Sequence, residues 1–403
     1  MRKYAYEARD SERNTIVKSV VQAESEHAAA RLLTAQGFVP LKIELENERS
    51  GFFARFSNRI TTKDKIVFTR QLSTLIGAGL PLSQSMRTVL EQTDNKRMQE
   101  IVQEIIADVE GGRQLSDAFA KHPEVFGKMF IALVSAGEAS GTLDDSLRRI
   151  AAQQEKDAAM MSKIKSALMY PSIVLVVIAL VIGFLFLTVV PQVKNLYKDL
   201  GRQLPLVTQI MVSTADFFIA FWWVVLIGLG IGIYFFVQYL KTDQGIRAKD
   251  SFKLNVPLFG GMFRRLYMAR FTRTGQTLLM TGVAMLDMLR IAADGVNNVH
   301  ISQAIDRAAA KVKGGKALSV SLKNEEYILM MVPQMIKIGE QSGKVDEMMG
   351  KCAQIYEDEL DEQIKTISTA IEPVLMVVLA IVAGGMVVAI LLPIYGLVND
   401  VKL

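Results

Sequence analysis

The stretch Gly137-Glu138-Ala139-Ser140-Gly141-Thr142-Leu143-Asp144 returns late in the chain as Gly339-Glu340-Gln341-Ser342-Gly343-Lys344-Val345-Asp346. Outward from these two segments the likeness continues at a separation of roughly 202 residues. Phe68-Thr69-Arg70 meets Phe271-Thr272-Arg273, Gly79 and Arg87 meet Gly282 and Arg290, and Glu110-Gly111-Gly112 meets Lys313-Gly314-Gly315. Leu115-Ser116 meets Leu318-Ser319, Tyr170-Pro171 meets Glu372-Pro373, and Pro191 meets Pro393, with one single-residue slip on the way. A register held over about 125 residues marks an internal duplication. Two like domains suggest a pseudo-symmetric support and not one catalytic cleft.

Each copy ends in an apolar run. Residues 166–193, 217–240 and 373–399 contain no Asp, Glu, Lys or Arg. Each exceeds the ~20 residues that cross ~30 Å of hydrocarbon as a helix, so three spans are expected. Lys and Arg set the orientation: 24 fall in residues 1–165 and 18 in 241–371, against only Lys194, Lys198 and Arg202 between the first two spans. That distribution puts both large polar blocks and the N-terminus in the cytoplasm, and the C-terminus outside. The net charge of +5 is then mostly a topology signal. Nucleic-acid binding is the weaker reading, because no basic run carries interleaved aromatics.

The fold class expected is a mainly α polytopic membrane protein with a small N-terminal α+β unit, two homologous cytoplasmic helical bundles and three transmembrane helices. The order is an α+β unit (1–46), a linker (47–60), a first bundle (61–165), a first span (166–191) and an outer loop (192–216). A second span (217–240), a second bundle (241–370), a third span (371–394) and an outer tail (395–403) follow. In the first unit Tyr4, Tyr6 and Ala8 alternate with charged residues, Glu24–Gln36 has a helical pattern stopped by Gly37, and 39–43 alternates again. A two-stranded arrangement, a helix and a last strand are expected. Phe52, Phe53 and Phe56 punctuate the linker, as plain connection or as a patch for a membrane or partner.

In the first bundle Thr61 or Thr62 caps a helix that Gly77 and Gly79 end, and Pro81 suits a first helical turn. Helices follow over 82–93, 96–110, 116–121 and about 127–137, and a last one from Leu143 runs through Lys165 into the first span. Pro171 kinks that helix or marks the join. The second span has no counterpart in the repeat; it brings the second copy back to the side of the first.

The two corners, Gly137, Glu138, Ser140, Gly141 and Gly339, Glu340, Ser342, Gly343, are the most suggestive polar elements. Their glycines permit close approach or positive φ, the Glu is placed to accept from free helix-start amides, and the Ser to cap the helix that follows. Two readings stand: a helix corner, or a partner-docking site. Tyr170-Pro171 and Glu372-Pro373 mark where spans enter the bilayer, and Glu372 and Asp216 are either functional ionisable groups or boundary residues that reach water. Gly228 and Gly232 give the second span a small-residue packing face.

Chemistry-bearing patterns are missing. No phosphate-binding Gly-x-x-x-x-Gly-Lys-Ser/Thr loop occurs, His27, His122 and His300 stand apart, and no Gly-x-Ser-x-Gly elbow is present. Cys352 is alone, which excludes an internal disulfide, and the N-terminus lacks a signal-peptide core. No cofactor and no metal are expected.

These residues resemble the GspF/PilC family, the platform proteins of bacterial type IV pili and type II secretion systems. The resemblance spans nearly the whole chain: Tyr4-Ala5-Tyr6-Glu7-Ala8, Gly37-Phe38-Val39-Pro40-Leu41, both corners, Lys163-Ile164 with Ala167–Pro171, Leu204-Pro205 with Thr208, and Glu372-Pro373. It implies a non-enzymatic inner-membrane platform. A hexameric assembly ATPase would dock on its cytoplasmic domains, with pilin or pseudopilin subunits and other inner-membrane assembly proteins as further partners. It also implies a homodimer or higher oligomer in the bilayer, with no nucleic acid. The alternative is the permease subunit of an ATPase-driven transporter, against which three spans offer little wall for a pathway. An intramembrane enzyme is disfavoured by the missing catalytic groups.

Overall fold

The computed structural model describes residues 2–10, 16–23, 30, 32, 34, 38–45, 59–199 and 206–401. Phe52, Phe53 and Phe56, Leu204-Pro205 and most of the helix expected over 24–36 lie outside the described residues.

The N-terminal unit contains one antiparallel sheet. Strands β1 (Arg2–Asp10), β2 (Ile16–Ala23) and β3 (Phe38–Leu45) lie in the order β2-β1-β3. The last strand therefore joins the first pair along the free edge of β1. Its pairing slips between Glu7 and Ala8, where Ala8 faces Pro40. Proline has no N–H to give a ladder, so an edge strand and a register slip are where a sheet accommodates it.

From Thr61 onward the chain is helical. The first copy forms α1 (Thr62–Gly77), α2 (Leu82–Glu91), α3 (Lys96–Glu110), α4 (Leu115–Ala120), α5 (Lys128–Ser140) and α6 (Leu143–Asp199). Unrepeated helices α7 (Leu206–Ala220), α8 (Trp222–Tyr239) and α9 (Asp243–Asn255) follow. The second copy is α10 (Gly260–Met280), α11 (Met285–Gly295), α12 (Val299–Lys313), α13 (Leu318–Leu322), α14 (Met331–Ser342) and α15 (Val345–Val401).

Local chemistry accounts for most boundaries. Thr61 begins α1 through a reciprocal cap: its hydroxyl accepts from Asp64 N at 3.2 Å and the Asp64 carboxylate accepts from Thr61 N at 2.8 Å. Gly141 and Gly343 end α5 and α14 in the left-handed region at φ 74° and 72°, where a side chain costs energy. Pro81 falls one place before the expected first turn, at the cap of α2. Each bundle buries one apolar face of every short helix. In the first, Phe119 sits 4.5 Å from Phe126 and 4.9 Å from Phe130, with Phe68 against both Phe119 and Phe126. In the second, Phe271, Leu278, Met288, Ile305 and Tyr356 fill the centre.

The final helices α6 and α15 are each 57 residues long, about 85 Å at 1.5 Å per residue. Pro171 and Pro191 lie inside α6 without ending it. A proline removes one N–H from the ladder while the other bonds persist, and Ser172 Oγ donates to Leu168 O at 2.8 Å beside Pro171. Among the described residues three helices are long and apolar enough to cross a membrane: α6, α8 and the stretch Val345–Gly385 of α15.

The segment 192–216 is not an open loop among its described residues. Helix α6 reaches Asp199 and α7 starts at Leu206, where no glycine or proline interrupts an apolar run. Val212 and Ala215 of α7 bury against Val190 and Phe186 of α6. The helical path breaks at Phe221 (φ −115°, ψ 21°), so the apolar run expected as the second span is divided between the end of α7 and α8, which starts at Trp222.

Candidate force-transmitting interface

The two corners are built alike. In the first, the Glu138 carboxylate accepts from Leu115 N at 2.8 Å, Ser116 N at 3.1 Å and Ser116 Oγ at 2.9 Å. In the second, Glu340 accepts from Leu318 N at 2.6 Å, Ser319 N at 3.3 Å and Ser319 Oγ at 2.5 Å. These amides open α4 and α13 and have no partner within their own helix. Each carboxylate thus ties the start of one helix to the end of another, where its charge also suits the positive end of the dipole. The serines behave otherwise than expected. Ser140 donates to Ala136 O and Ser342 to Ile338 O, both at 2.8 Å, within their own helices. The left-handed glycine moves the next helix start onward: Ser146 N donates to Thr142 O and Met348 N to Lys344 O. Ser140 and Ser342 lie too early to cap it.

Gly137 and Gly339 let the two helices of each corner touch. A Cβ at Gly339 would stand 2.7 Å from the Cα of Val345 and 3.1 Å from Lys344 O. At Gly137 it would meet the Ser146 side chain at 2.4 Å. Gly339→Ala is therefore expected to cost about 1–3 kcal/mol through overpacking against backbone. Gly137→Ala should cost about as much, since the Ser146 Cβ at 2.7 Å and the Leu143 Cα at 3.1 Å stay in place whatever rotamer the hydroxyl takes, and thermal unfolding of the purified variants checks both.

The bundles meet along α6, α10 and α15. Met160 and Ile164 of α6 bury with Met262 and Leu266 of α10 and with Leu360, Ile364 and Ile367 of α15. Charged groups run beside this seam. Lys156 Nζ lies 3.2 Å from Glu357 Oε2, Lys163 Nζ 2.5 Å from Asp361, and Lys128 Nζ 2.7 Å from Asp294. Arg273 Nε donates to Glu357 Oε1 at 2.9 Å, and Arg265 Nε to Glu359 at 2.5 Å. Asp157 Oδ1 and Arg270 Nε face each other more loosely at 3.9 Å. Burial lifts the Asp157 carboxyl above the usual range, with Arg270 pulling the other way.

Arg70 and Arg273 occupy matching places in the duplicated Phe-Thr-Arg, and their partners Glu155 and Glu357 match as well. The Arg70–Glu155 pair is open to solvent, with side chains 61% and 35% exposed. The Arg273–Glu357 pair is 15% and 12% exposed, because α6 of the first copy covers it and adds Lys156. Sequence reasoning passed over this seam. The repeated Glu at the same offset was the one signal that could have pointed to it.

The other singled-out residues are separate from the seam. Tyr170 is 59% exposed, Glu372 and Pro373 are exposed on α15, and Pro171 and Pro373 both sit within continuous helices. Gly228 and Gly232 face open space, with nothing within 4 Å of an added Cβ. Asp216 has a partner at the far side of the spans, Lys194 Nζ at 2.6 Å, which pins α7 to the end of α6. Among the described residues no cluster of His, Cys, Asp or Glu is arranged to hold a metal. Cys352 is 1% exposed, and burial and the Glu359 charge push its thiol up to about 12. A water-soluble maleimide at pH 8 is expected to leave the folded chain unlabelled and to add one label on unfolding; rapid labelling of the folded chain would contradict this packing.

Two duplicated helical bundles, each continued into the bilayer by its own last helix and joined by an unpaired span, define a class of polytopic membrane protein. The chain belongs to the type II secretion system protein F family: residues 68–191 and 271–393 each match its repeated domain, and residues 1–44 match its N-terminal domain. It is 35% identical to the type IV pilus assembly protein PilC of Thermus thermophilus, over 99% of both chains. It is 34% identical to the type IV pilus assembly protein TapC of Aeromonas hydrophila, over 94% of this chain and 92% of that one. It is 32% identical to type II secretion system protein F of Xanthomonas campestris pv. campestris, over 99% of both.

Proposed function

We propose that this chain is the inner-membrane platform protein of a type IV pilus or type II secretion machine. In this reading it couples a cytoplasmic hexameric ATPase to the extraction of pilin or pseudopilin subunits and to fibre assembly. The observation that carries it is the pair of 57-residue helices, each leaving a folded bundle and continuing into the bilayer. A continuous helix transmits displacement or torque, whereas a flexible joint would dissipate it. The ion-paired seam between α6 and α15 makes the two levers move together. The relatives' names, type IV pilus assembly protein and type II secretion system protein F, support the same role.

The lysine and arginine distribution supports placing the N-terminus and both bundles in the cytoplasm and the C-terminus outside. Gly228 and Gly232, with no described residue within 4 Å of an added Cβ, suit close packing against another span in a dimer or higher oligomer. The role is structural and not enzymatic. Glu138 and Glu340 spend their carboxylates on their own chain, which favours the corner reading over direct docking of a partner.

The test is a five-residue Gly-Ser insertion after Lys165 in the full chain, expressed in a strain lacking the chromosomal copy. Fibre assembly or secretion should be lost while membrane level and ATPase co-purification persist. Normal fibres from that variant, or intact fibres in the deletion strain, would overturn the proposal.

A further inference from the structure

Helix α9 follows the second span after three residues, and one glycine shows how it turns. A Cβ at Gly245 would stand 2.0 Å from Tyr239 O and 2.9 Å from the Cα of Leu240. Had the span's helix continued in line, residue 245 would lie about 9 Å further along the axis. Helix α9 therefore doubles back across the end of the span, with Thr242 Oγ closing the turn on Tyr239 O at 2.6 Å. The face of α9 that carries Gly245 is the one set against the end of the span.

At about 100° per residue that face continues through Ala248 to Phe252. Phe252 is 70% exposed. The opposite face is the buried one: Asp250 accepts from Val299 N at 3.0 Å, and Leu254 is 1% exposed. Lys249 and Lys253 flank the Phe252 stripe on one side. Lys249 has no carboxylate partner among the described residues, and Lys253 lies 3.5 Å from Asp250. Just beyond, Leu258 adopts a positive φ of 72° with its side chain 57% exposed. A single exposed phenylalanine flanked by lysines, at the foot of a span, is the pairing of apolar and cationic groups that seats a helix in a membrane interface.

We propose that α9 is an interfacial anchor. Phe252 is seated among the headgroups of the leaflet from which α8 emerges, and Lys249 and Lys253 rest on the phosphates of anionic phospholipid. This goes beyond the platform role, since it depends only on α8 crossing a bilayer. It gives the second bundle a fixed tilt against the membrane, so that force on the bundle reaches α15 instead of rocking it.

The test uses the full chain in vesicles of phosphatidylcholine with a minority of phosphatidylglycerol. Phe252→Trp is made in a Trp222→Phe, Trp223→Phe background, and bromine is carried on either lipid at equal total bromine. The introduced indole should emit to the blue of water-exposed tryptophan and be quenched preferentially by brominated phosphatidylglycerol. Lys249→Gln with Lys253→Gln should reduce that preference about fivefold per lysine. Ala248→Trp, on the same stripe, repeats the measurement should the first variant misfold. Water-like emission quenched by iodide would overturn the proposal, as would a blue-shifted emission untouched by bromolipid. Equal quenching by the two lipids would reject the anionic preference.

Discussion

Glu357→Gln is expected to destabilise the chain by about 3–5 kcal/mol, while Glu155→Gln, at the matching place in the first copy, should change stability by less than about 1 kcal/mol. The two glutamates pair with equivalent arginines, so the sites differ in burial and in the second cation that α6 brings to Glu357. Arg273 and Glu357 are 15% and 12% exposed, and Lys156 approaches the same carboxylate at 3.2 Å. Removing its charge leaves Arg273 facing an amide under a covering helix, where water reaches it poorly, while Lys156, 46% exposed, regains water. Arg70, 61% exposed, simply regains water when Glu155 is neutralised. Denaturant unfolding of both variants in one detergent measures the difference. Equal small effects would mean that the seam opens readily and that the two levers are not held together.

The second large effect is expected at the corners. Glu340→Ala strands two amides and a hydroxyl, those of Leu318 and Ser319, at the start of α13. Each unsatisfied group costs about 1–3 kcal/mol when shielded from water. With partial solvent access at this site, the sum should come to about 3–5 kcal/mol. Glu340→Gln retains one accepting oxygen and should recover part of it. Glu138→Ala should behave alike, since its three contacts are the same. Thermal unfolding with matched assays of fibre assembly separates the two roles. Full stability with lost assembly would make the corners docking surfaces; lost stability in proportion to lost assembly makes them joints.

The corners were legible because their information is local. Glycine at a left-handed turn, a carboxylate near free helix-start amides and a threonine cap at Thr61 follow from backbone hydrogen bonding over a few residues. What local rules missed were positions one turn out of phase. Ser140 lies three residues before the start of α6 at Leu143, and the helical break at Phe221 occurs inside an apolar run that composition reads as uniform. The course of α7 depended on Val212 and Ala215 packing on Val190, a contact across a chain reversal. Pro171, expected to kink the helix or mark its join with the span, lies inside the continuous α6.

By itself the sequence determined the duplication, the spans, their orientation signal and the turn chemistry, because each is written in composition, period or short spacing. Only the tertiary structure decided which charges the two copies bury against each other. Lys156 meets Glu357 across 201 residues of chain, and no periodicity encodes a contact of that kind. The same decision made equivalent pairs unequal: α6 lies over Arg273–Glu357, while among the described residues no second helix covers Arg70–Glu155. Two copies with one local chemistry differ in energy because burial is a property of the neighbour and not of the residue.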